Sequence, residues 1–151
     1  MKTALDFYES VPAWMHDTLL EIGIWLKALP DQEIDCHGTG LWTCHGLARA
    51  VKKHFMLKEW RVCDGFFARA GCEHSWLIRR QTLKEPVLVL DVYPIASIGG
   101  PLMMDVSSYG SAWRGLYMEA SEHYLQERVK AFDAEAVHIL TFTQRECQLI
   151  L

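Results

Sequence analysis

The sequence predicts an α+β domain in which helices come first, an antiparallel sheet follows, and a helix and a last strand complete the order. Three observations predict it. Apolar residues recur at helical spacing in the first third of the chain, and three strand-like runs then follow one another across gaps too short for crossover helices. A further helical pattern and an alternating run come after them. The 151 residues, 50% of them hydrophobic, suit a single domain over 1–151 with a core of ordinary size.

Ser10, Val11 and Pro12 read as a helix start, with Ser10 placed to cap and Pro12 in the first turn, where a missing N–H costs little. The helix that follows, to about Ala28, is densely apolar through Trp14, Leu19, Ile22, Trp25 and Leu26, so it is expected to be largely buried and closed by Pro30. Residues 31–43, with Gly38 and Gly40 around Thr39, read as a loop. Thr43 is placed to cap an amphipathic helix over 44–57, in which Cys44, Leu47, Ala48, Val51 and Phe55 share one face and Arg49, Lys52 and Lys53 the other.

Strands are expected over 60–70, 74–81 and 86–95. The run Val87-Leu88-Val89-Leu90 lacks polar alternation, which marks a central strand covered on both faces. Residues 97–115, rich in Gly and Ser, read as a long irregular segment of the kind that borders a site. A helix over 119–132 and a final strand over 137–143 are expected after it.

Composition narrows the function. The net charge of −4, from 19 acidic and 15 basic residues spread along the chain, leaves no basic face for phosphates, which argues against nucleic acid. Asp17, Glu21, Lys27 and Asp91 interrupt the apolar runs before any could cross a bilayer, and Met1 to Tyr8 hold no apolar signal-type stretch. No membrane association and a cytoplasmic location are therefore expected. Five cysteines, an odd number in a chain of this size, point to thiols in a reducing compartment.

One of those thiols stands where chemistry is favoured. A helix N-terminus lowers a thiol pKa and aims backbone N–H groups at an oxyanion, and Cys44 opens its helix. An imidazole on a separate rigid element supplies the other requirement, and His74 begins a strand after the Gly71 turn. Asp91, closing the apolar run at Leu90, needs a partner, because burying it alone costs several kcal/mol. His74 is the candidate, its far nitrogen held by the carboxylate.

The glycine-flanked Trp-Thr-Cys at 42–44, Glu-His-Ser-Trp-Leu at 73–77 and Val-Leu-Asp-Val-Tyr-Pro at 89–94 resemble, in this order, the transglutaminase-like superfamily of cysteine enzymes. The resemblance spans about residues 38–95. It implies a papain-like core, Cys44 as nucleophile, His74 as general base and acid, Asp91 as its orienting residue, and no cofactor. It further implies a peptide or protein substrate cleaved or transferred through a thioester, as peptidases, deamidases and amide-forming transferases of that superfamily do. Papain-type enzymes carry an oxyanion-donating glutamine shortly before the cysteine, whereas this chain has Gly38 and Thr39 there, leaving Trp42 or a residue from elsewhere as second donor.

Other readings remain at this stage. Trp42 and Trp76 either wall the substrate site or pack in the core. Cys63 and Cys72 read as core, and His45, about 100° around the helix from Cys44, is expected to point elsewhere and to be half exposed. The Cys/His-rich segment 36–74, with Cys36, His37, Cys44, His45, Cys63, Cys72 and His74, raises a zinc-binding module as rival, although its closest cysteines are eight positions apart rather than in tight pairs. A protein-binding domain of the same fold without catalysis is the third reading.

Overall fold

The computed structural model of the chain describes residues 13–29, 42–67, 72–80, 87–92, 101–106, 117–120 and 126–150. Among these, α1 (Ala13–Ala28) and α2 (Cys44–His54) precede β1 (Trp60–Phe67), β2 (Cys72–Arg79) and β3 (Leu88–Asp91), followed by β4 (Leu102–Asp105), β5 (Tyr117–Glu119) and α3 (Gln126–Ile150). The class is α+β, as expected. The strands form one antiparallel sheet in the order β4-β3-β2-β1-β5. No helix of the described residues is long and apolar enough to cross a membrane.

Alternation along the strands divides the core in two. Leu77, Leu88, Leu90 and Met103 join Met15, Leu19 and Ile22 of α1, Leu47 and Val51 of α2, and Ile139 of α3. The residues between them, Trp76, Val89 and Met104, belong to a second cluster with Cys63 and Tyr117. β3 is buried at every position, so its unbroken apolar run is accounted for by cover on both faces and by β2 and β4 on either side. Each fully buried aliphatic side chain stabilises by about 1.5–3 kcal/mol.

Several expectations need correction. The helix α1 is buried along one stripe only; Trp14, Leu20 and Ile24 are exposed, and the Arg79 guanidinium lies over the Trp14 ring at 4.6 Å. The segment expected to be irregular contains β4, whose four residues pair with β3, and its composition is dominated by the Gly and Ser that flank them. Glu119, expected to start a helix, closes β5 instead. The expected strand over 137–143 is helical: Phe132, Ala136 and Ile139 are buried while Val137 is exposed, a spacing of four and three rather than two. The helix opening at Cys44 ends at His54, and Met56 just beyond has a positive φ of 51°. The caps expected at Ser10 and Pro30 and the turns around Gly71 and 82–85 lie outside the described residues.

Candidate active site

The start of α2 is built by Thr43. Its backbone is extended, its Oγ1 accepts from the Gly46 N–H at 3.3 Å, and its carbonyl accepts from Leu47 at 3.0 Å. Glu135 of α3 covers this cap: one oxygen accepts from the Thr43 N–H at 2.6 Å and the other from its hydroxyl at 2.8 Å. Gly46 leaves room for that carboxylate, since a Cβ there would stand 2.6 Å from it. Cys44 is thereby held as the first helical residue, its thiol half-buried and free. The N–H groups of Cys44 and His45 have no intrahelical acceptor, as at every helix start.

His74 on β2 and Asp91 on β3 are each 1% exposed. The Nε2 of His74 lies 2.9 Å from both carboxylate oxygens of Asp91, and the Tyr117 hydroxyl on β5 donates to Oδ2 at 2.9 Å. Nδ1 of His74 is left for the Cys44 thiol, with which the ring is hydrogen-bonded. Trp76, two residues along β2, stacks behind the imidazole, and Phe67 meets it edge-on. A line of contacts thus runs from the thiol at the helix tip through His74 on β2 and Asp91 on β3 to Tyr117 on β5.

The electrostatics follow from these contacts. Burial opposes ionisation of the Cys44 thiol, but hydrogen bonds and positive charge from His45 and His74 outweigh it and bring its pKa down to about 6. Burial likewise disfavours the imidazolium of His74, yet the Asp91 carboxylate and the Cys44 sulfur raise its pKa to about 9. Between those values a thiolate faces an imidazolium. Cys63 shows the opposite balance: burial and the nearby Glu119 charge push its thiol up to about 12, so it stays protonated and inert. Burial and the charge of Asp91 also keep Tyr117 protonated, as a donor.

A second chain of contacts reaches the same cysteine. His45 is buried, contrary to the half-exposed position expected of it, because both sides of the helix start are covered: its ring stacks on Phe132 of α3 at 4.1 Å, and its Nδ1 lies 2.6 Å from Ser75 Oγ on β2. Ser75 Oγ donates to Asp64 Oδ1 on β1, and Arg49 grips the Asp64 carboxylate with two N–H groups at 2.9 and 2.6 Å. Asp64 is held below its ordinary pKa; burial opposes this, but the bonds from Arg49 and Ser75 prevail. The logic that singled out Asp91, a charge within an apolar strand that must find a partner, applies equally to Asp64 in the run Val62 to Phe66.

The three residues Cys44, His74 and Asp91 come together from separate elements. Trp42 and Trp76 are both buried, Trp42 edge-on to His138 within the helix-side cluster and Trp76 behind His74, so each packs in the core and presents no open face to a substrate. Gly38 and Thr39, like Cys36 and His37 of the zinc reading, lie outside the described residues. Among the described residues no group of three or more His, Cys, Asp or Glu side chains is arranged to hold a metal ion. Tyr117 was not foreseen, since its strand spans only three residues. No protein-family model matches the chain, and neither the curated proteins nor the solved structures searched include a match to it.

Proposed function

We propose that the chain is a cysteine hydrolase or acyltransferase acting on peptide or amide bonds, with a transglutaminase-like, papain-like core and Cys44, His74 and Asp91 as its triad. The observation that carries this reading is a half-buried thiol at a helix start, in contact with an imidazole whose far nitrogen is held by a buried carboxylate. The Cys44 thiolate attacks the carbonyl carbon, and the carbonyl electron pair moves to an oxyanion faced by the first N–H groups of α2. Collapse of this intermediate breaks the C–N bond as the His74 imidazolium gives its proton to the departing amine. The resulting thioester is then attacked by water or a second amine, whose proton returns to His74 as the C–S bond breaks and the Cys44 thiolate leaves. The same reading puts the enzyme in the reducing cytoplasm, where thiols such as Cys44 and Cys63 stay free.

The test is intact-mass spectrometry after exposure to a panel of activated esters and amides, with the modified residue mapped. A single acyl adduct on Cys44, lost in Cys44→Ala and slowed by orders of magnitude in His74→Ala, is expected. Adducts on other residues only, or equal acylation of Cys44→Ala, would refute the assignment.

A further inference from the structure

The triad reading uses one of the two imidazoles that touch Cys44. His45 follows Cys44 at the start of α2, its ring fixed between Ser75 and Phe132, and is the other imidazole that lowers the thiol pKa. It belongs to a closed circuit that the triad does not need. Its Nδ1 meets Ser75 Oγ, Ser75 donates to Asp64, Asp64 is gripped by Arg49, and Arg49 returns to donate to the His45 carbonyl at 3.1 Å. The proton count in this circuit fixes the tautomer. A serine hydroxyl has one proton, and here it goes to the Asp64 carboxylate, so toward His45 the oxygen only accepts. Nδ1 of His45 therefore carries the hydrogen, and Nε2 is the nitrogen left for the sulfur. In its protonated form the ring donates through both nitrogens, to Ser75 and to the thiolate.

The two imidazoles also arrive from different sides of the sheet. Ser75 has the strand parity of Leu77, in the helix-side cluster, and His74 that of Trp76, in the other. Consecutive residues of β2 thus serve one sulfur, His74 directly and Ser75 through His45.

We propose that His45 is a positioning residue for the Cys44 nucleophile, holding the sulfur through Nε2 against the pull of His74 and helping to keep it ionised, with Ser75, Asp64 and Arg49 fixing the ring and its tautomer. This rests on the cysteine-enzyme reading and extends it. The groups that face His45 are Cys44 and Arg49 on its own helix, Ser75 on β2, Asp64 on β1, and Phe132 on α3, where Asp133 takes a further bond from Arg49 at 3.2 Å. One negative charge, on Asp64, lies a single hydroxyl away from Nδ1, and Arg49 fixes that charge in place.

The experiment is the rate of Cys44 alkylation by iodoacetamide against pH, read by mass on the full chain, for wild type, His45→Gln, Ser75→Ala and His74→Gln. The wild-type midpoint is expected near 6. His45→Gln is expected to raise it by about one pH unit and Ser75→Ala, which keeps the imidazole but removes its anchor, by about half a unit. A side chain that only packs would change the unfolding midpoint and leave the alkylation midpoint where it was. Should His45→Gln fail to fold, Ser75→Ala decides alone. A low wild-type midpoint that neither variant moves, while His74→Gln does, overturns the role of His45 and leaves the triad standing. A wild-type midpoint in the ordinary thiol range overturns the triad reading, and this inference with it.

Discussion

At Cys44 and His74 two pKa values move toward and past each other, to about 6 for the thiol and about 9 for the imidazole. The sign of each shift sets the pH dependence. Below about 6 the thiol holds its proton and the nucleophile is lost; above about 9 the imidazole has no proton for the leaving group. The rate of acylation is therefore expected to follow a bell with limbs near those two values, measured as kcat/KM against pH with an activated ester. Tyr117→Phe tests the next layer. It removes one of the donors to the buried Asp91 carboxylate, so stability to urea should fall by about 1.5–3 kcal/mol. Left with fewer donors, Asp91 pairs more strongly with the imidazolium, and the alkaline limb should move to higher pH. These residues differ in how legible they were. Cys44, His74 and Asp91 could be read from the chain because each has a chemical reason tied to its place on an element: a helix start, the first turn-side residues of a strand, the end of an apolar run; His74 itself is the third residue of β2 and not, as expected, its first. His45 could not be read this way, because its burial depends on Phe132 of α3, 87 positions away, and nothing in the local pattern shows which face of α2 that helix covers.

The elements nearest the nucleophile were the ones the pattern described well. Thr43 caps α2 as its position suggested, β1 and β3 fall inside the runs expected for them, and β2 overlaps its run but opens two residues earlier, at Cys72, because alternation and apolar density there are set by local burial. β4 and β5 are short edge strands of four and three residues, held by pairing rather than by their own composition. Gly65 shows how tightly β5 is docked. It stands between His74 and Glu119 in the sheet, and a Cβ there would overlap the Met118 carbonyl oxygen, which is backbone and cannot swing aside. Gly65→Ala is expected to unseat β5, lower stability by about 1–3 kcal/mol, and slow acylation by freeing Tyr117 from Asp91. Faster amide hydrogen exchange at Tyr117 and Met118 is the direct readout; unchanged protection there would contradict this account.

For the molecule as a whole, α3 is the element that binds the site to the rest of the core. Ile139, fully buried, packs with α1, α2 and β3, while Phe132 and Glu135 on the same helix reach His45 and Thr43. The two roles can be separated by substitution. Ile139→Ala should cost about 2–5 kcal/mol in urea denaturation, as large-to-small changes in a packed core do, and yet leave the pH midpoint of Cys44 alkylation in the folded protein unmoved. A shifted midpoint would mean that core packing and thiol chemistry are coupled through α3.

Thr43 and Glu135 stand 92 positions apart in the chain, and the bond between them has a consequence in time. Synthesis proceeds from the N-terminus, so the sulfur leaves the ribosome long before the carboxylate that steadies its helix or the phenyl ring that covers His45. A nascent chain halted ahead of residue 126 carries the thiol but neither of those partners, so its reactivity is completed only once synthesis has passed the first turns of α3.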